Sequence, residues 1–480
     1  MPTPALRTGF AWAESRETLH AMHLANPVNT LRTLAIFTAL LVATSPVRAQ
    51  KSAGTSTAPA VMLDALIAGD KPWETTAEQF ETTFKADRPQ WLTAQKDQAR
   101  FFGNYGLWGG AIPVKEAVVE FQNGKLFRVN LSIFNRGDSD NGSGFANRAE
   151  FEKQLAAWKA AITAKVGVQP VDLGRQNASA VKATGFSWSK TPSIYLLEYS
   201  AQKDAKATGV AFRPEFVRLR VSLLPKQLGL GSAAASAPSA GQRVSKTSLL
   251  ANITKDPSGD VFIKNMPMVD QGPKGYCAVA TAERVFRYYG MPVDQNEMAQ
   301  VANTGAGGGT NPDAMLKALT ALQGRLHVHV RAISKWEYAE FNKMITDYNR
   351  EAKRNKKKEI NLAGMHTIDI GAIYGSMDPV SLKESKTVKK KGDFEKFKRE
   401  VAEKIDKGIP VMWGVELGLY PEAEIPQAHG GHMRLIIGYN NKSSELIYSD
   451  SWGAQHAMKR MPMDNAFPMT TGLYFIEPSE

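Results

Sequence analysis

A single cysteine, Cys277, occurs in this chain of 480 residues. One thiol cannot form a disulfide within the chain, and it cannot supply the second cysteine that a typical zinc site needs. A fold held together by disulfides is therefore excluded. The composition, with 43% hydrophobic and 22% charged residues, is that of a globular protein rather than a disordered or fibrous one. The length is sufficient for roughly two or three domains.

The N-terminal region carries an apolar run of the length found in secretory signal peptides. Residues 34–44 read LAIFTALLVAT, which is too short to span a bilayer stably. Arg32 precedes the run, and small residues around position 48 predict cleavage after Ala49. We therefore expect residues 1–49 to be a signal peptide and residues 50–60 to be a flexible leader.

The expected destination follows from that signal. The polar stretch before the apolar run is long, so Met1 and Met22 are alternative starts of the chain. No later segment reaches transmembrane length, and no integral membrane segment is expected after signal cleavage. We expect the mature protein to be secreted or to stay in the periplasm or cell envelope.

The net charge of +12 is concentrated in part in two lysine-rich runs, at 353–358 and 386–391. Such runs are typical of a solvated insertion, and the alternative is contact with a polyanion such as a cell-wall polymer. Because the charge is local, we do not interpret it as a nucleic-acid-binding surface, and no nucleic-acid partner is predicted.

Residues 61–227 predict a separate small α+β domain. Strand-forming runs alternate with segments of helical periodicity, and none of them carries a recognisable chemical constellation. The sequence does not decide whether this domain inhibits the second domain, targets the protein or binds substrate. Intramolecular regulation is among its expected functions. The predicted elements are a helix behind Thr75 and Thr76, a hairpin turning at Gln122-Asn123-Gly124, a helix after Asn147, and strands near 193–200 and 216–224.

The next segment, residues 228–249, is rich in glycine, alanine and serine, which is the composition of a linker. A second domain is then predicted over residues 250–480. Within it, Cys277 follows an approach rich in glycine and proline, and a helical pattern starts at the cysteine and ends at Gly290. The apolar positions of that pattern are Val279, Ala282, Val285, Phe286 and Tyr289.

A cysteine at a helix N-terminus is placed to react. Unpaired backbone N–H groups and the helix dipole stabilise an anion there. They lower a thiol pKa from about 8.5 to between about 3.5 and 7.5 in such settings. The alternative is a small buried side chain with no chemical role.

A thiolate nucleophile needs a base and a group that orients it. His432 precedes the apolar run LIIG, where it is expected at the rim of a short strand, and His429 in the glycine-rich loop upstream is the fallback base. Asp450 ends another short strand, ELIYSD, and is expected to accept the hydrogen of the imidazole Nδ1–H. Taken alone, His432 is also typical of a histidine that holds a turn at the rim of a sheet. Asp450 taken alone is more typical of a turn residue.

Together these motifs resemble the papain-like cysteine peptidase superfamily. Gln271-Gly272-x-x-Gly275-x-Cys277 resembles its nucleophile loop, in which the glutamine supplies an oxyanion donor. The run from His432 to Tyr439 resembles its histidine strand, and Asp450-Ser451-Trp452-Gly453 resembles its Asn-Ser-Trp-Gly motif. The order of cysteine, histidine and acid along the chain also agrees with the superfamily, over residues 250–480.

The departures point to a divergent bacterial member. Ala278 stands where papain has tryptophan, and Lys274 stands where papain has a disulfide-forming cysteine. Asp450 in place of asparagine is similar to the peptidases that process bacteriocin leaders. No inhibitory helical propeptide of the cathepsin type is evident.

The resemblance implies a fold and a set of site residues. The fold would combine a helical half that carries the cysteine with an antiparallel, barrel-like β half. The helix stripe Phe394, Phe397, Val401 and Ile405 and the strand IPVMWGVELG would lead into that β half. The implied catalytic set is Cys277, His432, Asp450 and Gln271, with Trp452 shielding the histidine and Gly307, Gly308 and Gly309 bordering the substrate groove.

The predicted activity is therefore hydrolysis of peptide bonds in a peptide or protein substrate through a thioester, without a cofactor or metal ion. His327 and His329 are expected to alternate on one strand, and they do not complete a metal site. The alternatives are a non-catalytic binding module on the same fold, an acyltransferase or transglutaminase with the same triad, and an envelope scaffold that binds anionic polymer. The sequence specifies neither the substrate nor the oligomeric state.

Overall fold

The structure, a computed structural model, describes residues 5–6, 61–69, 71–138, 144–177, 180–202, 212–224, 246–291, 293–304, 309–310, 312–363, 365 and 367–479. The predicted signal peptide, apart from Ala5 and Leu6, lies outside these residues, as do the predicted leader and residues 228–245 of the predicted linker. We call residues 61–224 the N-terminal half and residues 246–479 the C-terminal half. Ala5–Leu6 forms a short strand, β1.

The N-terminal half is built on a nine-stranded sheet in the order β2-β4-β5-β6-β10-β9-β8-β7, with β3 also paired to β4. All neighbours are antiparallel except β2 and β4. Its strands are β2 (Val61–Met62), β3 (Gln90–Trp91), β4 (Gln98–Leu107), β5 (Ile112–Gln122), β6 (Lys125–Asn135), β7 (Val171–Asn177), β8 (Lys182–Lys190), β9 (Ser193–Gln202) and β10 (Arg213–Leu223). Its helices are α1 (Ala77–Thr83) and α2 (Arg148–Val166), and 3-10 turns lie at Asp64–Leu66, Pro72–Glu74, Lys85–Asp87 and Arg136–Asp138.

The turn and the helix start that short sequence patterns predict in this half are present in the structure. Asn123 and Gly124 both have positive φ, 52° and 75°, as the tight turn between β5 and β6 requires. The Asn147 side chain accepts a hydrogen bond from the Glu150 N–H at 3.0 Å and so begins α2. The predicted stripe of α2 is buried against the sheet, at Phe151, Leu155, Trp158, Ile162 and Val166.

The C-terminal half surrounds an eight-stranded antiparallel sheet in the order β11-β12-β16-β15-β19-β13, to which β17 and β18 are added through β16. Its strands are β11 (Ile253–Lys255), β12 (Asp260–Ile263), β13 (Val328–Ser334), β14 (Thr367–Ile368), β15 (Val411–Leu417), β16 (Gly430–Asn440), β17 (Glu445–Ser449), β18 (Lys459–Pro462) and β19 (Thr470–Pro478). Its helices are α3 (Lys246–Ala251), α4 (Cys277–Tyr288), α5 (Gln295–Val301), α6 (Pro312–Leu326), α7 (Tyr338–Arg354), α8 (Ile370–Gly375), α9 (Pro379–Lys383), α10 (Lys391–Ile405) and α11 (Met463–Met469). A π-helical segment, Glu384–Lys389, joins α9 to α10, a 3-10 turn lies at Ala454–His456, and β14 pairs with β1.

The mixture of helices and antiparallel sheets confirms the predicted α+β class. The helix before Gly408 and the strand after it are also present, as α10 and β15. Two details differ from the sequence expectation: α3 starts at Lys246, inside the predicted linker, and His327 precedes β13 with a positive φ of 51° rather than alternating with His329 on it. None of the helices in the described part of the chain has the length and apolarity needed to cross a bilayer.

The two halves pack together in one compact unit. Four apolar side chains of the N-terminal half are buried in the core of the C-terminal half, where α4 and α5 lie. They are Ala180, Val181, Ala183 and Phe216. The surface that joins the halves is therefore partly continuous with the core that supports α4.

Candidate active site

Cys277 is the first residue of α4 and is partly buried. The residues that precede it have no regular secondary structure, and Gly272 has a φ of +67°. The helix therefore begins at the cysteine, as predicted. The side chains of α4 that face the core, including Val279 and Phe286, are fully buried and fix the direction of the helix.

His432 lies within β16, where it pairs with Val415 of β15, and it is 2% exposed. The sequence placed it before the strand, at a rim. That expectation is wrong because β15 continues to Leu417, whose pairing with Gly430 extends β16 in the N-terminal direction. A residue inside a central strand has a fixed side-chain direction, so the imidazole has little freedom to turn away.

The hairpin of β16 and β17 places His432 beside Asp450. The register pairs Leu435 with Ser449. Continued by one residue, it sets Asp450 opposite Arg434, so His432, two residues along the same strand, is a diagonal neighbour of the acid. His432 Nε2 lies 2.6 Å from Asp450 Oδ1. The expected contact through Nδ1 is therefore wrong: Nδ1 is buried without a hydrogen-bond partner among the described residues. That nitrogen is the one left for the thiol.

Asp450 is held as a buried carboxylate, at 1% exposure. Arg434 Nε donates to its second oxygen at 2.9 Å, and the Ser451 N–H donates to the first at 2.9 Å. Burial alone would raise the pKa of Asp450, but the charges of His432 and Arg434 lower it to about 2. The carboxylate is thus negative throughout the neutral range.

The contact between His432 and Asp450 also determines the charge of the His432 imidazole. Burial lowers the pKa of His432, but the negative charge of Asp450, the hydrogen bond to it and the neighbouring Cys277 together raise it to about 9. The imidazole is therefore protonated at neutral pH.

Two arginines of this site were missed by the sequence analysis. Arg434 is fully buried, and it also pairs with Glu422 at 2.9 Å. Arg284 of α4 donates to the Asp450 carbonyl at 3.0 Å and so ties the helix that begins at Cys277 to Asp450. The spacing of His432 and Arg434, two residues apart in a strand, places both on one face and was an available signal for Arg434. Nothing in the sequence indicates the partner of Arg284, which is distant along the chain.

The other predicted site residues are distributed around this centre. The Trp452 ring is stacked on the His432 ring, with centroids 4.3 Å apart and an angle of 12° between the planes. The Gln271 amide donates to the Lys274 carbonyl at 3.3 Å, within its own loop. His429, the fallback base, is exposed and its ring lies over Gly418.

A narrow cavity lies between the thiol and the imidazole. Its lining includes Cys277, Ala278, Gly414, His432 and Tyr474. Ala278, which follows the cysteine, is itself buried. Cys277 and His432 therefore line the same cavity.

The glycine-rich loop is described only in part. Gly309 lies against the residues that precede Cys277, because a Cβ added to Gly275 would be 2.6 Å from the Gly309 Cα. Gly307 and Gly308 lie outside the described residues. Over the described residues there is no group of three or more histidine, cysteine or acidic side chains placed to hold a metal ion.

Comparison with known proteins gives one family match. Residues 263–471 match the model of the peptidase C39-like family. The structure of xylellain, a cysteine protease from Xylella fastidiosa, is similar over 48% of this chain and 89% of that one, with 12% identity and a TM-score of 0.24. No curated protein matches the chain.

Proposed function

We propose that this chain, whose residues 263–471 match the peptidase C39-like family, is a secreted papain-like peptidase that cleaves peptide bonds through a Cys277 thiolate. The observation that carries the proposal is the buried contact between His432 Nε2 and Asp450 Oδ1, 2.6 Å long, beside the chain's sole cysteine. This contact leaves Nδ1 directed to the thiol and keeps the imidazole protonated, which is the arrangement that nucleophilic catalysis by a thiolate requires.

The reaction begins with attack of Cys277 Sγ on the peptide carbonyl carbon. The C–S bond forms, and the carbonyl electron pair moves to the oxygen. The Cys277 N–H, at the unpaired start of α4, binds that oxyanion, and the Gln271 amide joins it after leaving the Lys274 carbonyl. A pair of such donors is worth several kcal/mol, about 3 kcal/mol for each.

The second step uses the proton of His432. The imidazolium protonates the leaving amine, the C–N bond breaks, and a thioester on Cys277 remains. The neutral imidazole then takes a proton from water, which attacks the thioester and releases the acid and the thiolate. Asp450 holds the ring in place in both steps, and Trp452 covers one face of the ring.

Alkylation of the thiol tests this function directly. Because the chain has one cysteine, the label reports Cys277 alone. We expect iodoacetamide to modify the native protein near neutral pH about tenfold faster than free cysteine. The substitution His432→Ala should abolish the excess, whereas the matched control His429→Ala should retain it.

Digestion of a peptide library, followed by mass spectrometry, tests the reaction itself. Cleavage by the native chain and not by Cys277→Ala is the expected result. Alkylation only after denaturation would contradict the proposal, and transfer to an added amine in excess of hydrolysis would identify an acyltransferase instead.

Export is the remaining part of the proposed function. It is supported by the apolar run at 34–44 and by Val47 and Ala49 at the cleavage-site positions. The mature N-terminus should be Gln50, which N-terminal sequencing of the protein from the cell exterior or periplasm would determine. A full-length chain retained in the cytoplasm would overturn this part.

A further inference from the structure

The residues that precede the nucleophile are held by side chains outside the matched family region. We call residues 270–276 the nucleophile loop. Asp270, Lys274 and Tyr276 of this loop are buried, at 9%, 5% and 1% exposure, and their side chains contact the N-terminal half. The Gln271 N–H donates to the Ser451 carbonyl at 2.9 Å, but the loop has no ladder of backbone hydrogen bonds, so its side-chain contacts contribute much of what fixes it.

Arg100 of β4 makes the first contact. Its Nη1 lies 2.9 Å from Asp270 Oδ1, and its Nε lies 2.7 Å from Glu116 Oε1 on β5. The guanidinium thus joins a carboxylate of the loop to one of the sheet. At Gly272 an added Cβ would be 2.6 Å from Arg100 Nη2, so a glycine is needed where the loop passes the arginine.

Lys274 makes the second contact. Its Nζ lies 2.6 Å from Asp138 Oδ1 and 3.6 Å from Glu116 Oε2, and its side chain is 3% exposed. A buried ammonium group without a carboxylate partner is strongly unfavourable. Both carboxylates come from the N-terminal half, so the observed position of Lys274 depends on that half being present.

Tyr276, the residue before the nucleophile, makes the third contact. Its hydroxyl donates to Asn135 Oδ1 at 2.9 Å. Gly137 packs against the same hydroxyl, and a Cβ added there would be 2.2 Å from the oxygen. The N-terminal half therefore holds a side chain one residue away from Cys277.

Residues 294–304 of the C-terminal half are also held by side chains of the N-terminal half. Arg218 of β10 pairs with Glu297 of α5 at 2.9 Å and also with Asp294, which caps that helix. Arg136 donates to the Thr304 carbonyl, shortly before Gly309 meets the nucleophile loop. Both the loop and the segment packed against it are thus anchored on the sheet of the N-terminal half.

We propose that the N-terminal half positions the nucleophile, with Arg100, Asn135 and Asp138 as positioning residues for Cys277. The N-terminal half is then a retained part of the working enzyme and not a segment to be removed for activity. The inference rests on the proposed function, because positioning is defined through the reactivity of Cys277.

The test uses the full chain with the substitutions Asp138→Asn and Asn135→Ala. We expect each to slow iodoacetamide alkylation of Cys277 about tenfold, since small displacements of a reacting group have effects of this size or larger. Hydrogen exchange of the backbone amides of residues 270–277 should rise in parallel. Asp138→Glu, which keeps the carboxylate, should restore much of the alkylation rate.

The matched control is Arg213→Ala. Arg213 also crosses between the halves, donating to Asn303 Oδ1 at 2.8 Å, but it does not contact the nucleophile loop. It should leave alkylation and loop exchange unchanged. Unchanged alkylation and loop exchange in both Asp138→Asn and Asn135→Ala would overturn the proposal.

Two outcomes separate this inference from the proposed function. If the wild-type thiol reacts no faster than free cysteine, the proposed peptidase chemistry is wrong. The inference about the N-terminal half, which rests on the reactivity of Cys277, is then wrong as well. Rapid wild-type alkylation that is insensitive to Asp138→Asn and Asn135→Ala would leave the peptidase intact and remove only the role of the N-terminal half.

Discussion

The two sides of the candidate active site are held in different ways. His432 lies within a central strand, and Asp450 follows the next strand of the same hairpin, so regular backbone pairing brings them together. Cys277 instead follows an irregular loop, whose buried side chains contact residues of a separate sheet. One side is fixed within the C-terminal half, whereas the other is fixed largely from outside it.

The difference indicates where the site is sensitive to change. Strand pairing fixes a side chain through many backbone hydrogen bonds, which single substitutions leave in place. The nucleophile loop depends on a few buried charges and one hydroxyl, and each of them can be removed singly. Single substitutions can therefore distinguish the two sides, and the side with the more deeply buried charge should respond most strongly.

The largest expected effect is on stability, from Arg434→Met. Removal of a buried guanidinium leaves Asp450 and Glu422 without their shared partner, which costs about 3–5 kcal/mol of the free energy of unfolding. The matched control is Arg148→Ala, which breaks an exposed pair with Glu152 and should cost less than about 1 kcal/mol. Denaturant unfolding of the two variants measures the difference, and equal losses would contradict the buried role of Arg434.

The next largest effect is expected on the pH dependence of Cys277 alkylation, from the substitution Asp450→Asn. The pKa of His432 is raised to about 9, so the protonated ring stabilises the fold most fully below its ordinary pKa of 6.5 and this contribution is lost as the pH rises through 9. Loss of the negative charge should move the pKa of His432 down by about one unit or more. The rate of alkylation by iodoacetate, an anion attracted by the imidazolium, should then decline at a correspondingly lower pH.

Iodoacetamide serves as the control reagent in that experiment, because it is uncharged and is not attracted by the imidazolium. A decline that stays at the wild-type pH in Asp450→Asn would show that Asp450 does not determine the charge of His432.

The smallest effect is expected from Tyr276→Phe, which removes only the hydroxyl that contacts Asn135. The loss should be about 1 kcal/mol of stability, with a two- to threefold slower alkylation of Cys277 as a rough magnitude. Tyr439→Phe removes a comparable hydrogen bond, to Asp406 at 3.0 Å, on the side of the site that is fixed by strands. It should lower stability similarly without slowing alkylation, and an equal slowing in both would remove the distinction between the two sides.

Local signals made much of the fold predictable. The Asn-Gly turn needs positive φ at two adjacent residues, and the cap at Asn147 needs only the N–H groups that follow it. The apolar periodicity after Cys277 likewise defines a helix without reference to the rest of the chain. The motifs around Gln271, His432 and Asp450 were recognised for the same reason, since each is contained in a few consecutive residues.

Properties that depend on pairing between distant residues were not predictable in this way. The start of β16 was misplaced because its first residues pair with the end of β15, and the nitrogen that meets Asp450 depends on the register of β16 with β17. Arg284 and Asp450 are 166 positions apart, and Tyr276 and Asn135 are 141 apart. No local pattern couples residues at such separations.

The sequence by itself determined the sole thiol, its place at a helix start, the order of the histidine and the acid after it, and the α+β class. These follow from residue identity and short-range periodicity. Only the tertiary structure decided that Asp450 binds Nε2 of His432, that Arg434 and Arg284 neutralise and anchor this buried acid, and that the N-terminal half contacts the nucleophile loop. The physical reason is that a buried charge is stable only beside its partner, and the partner's position is set by packing and strand register rather than by neighbouring residues in the chain.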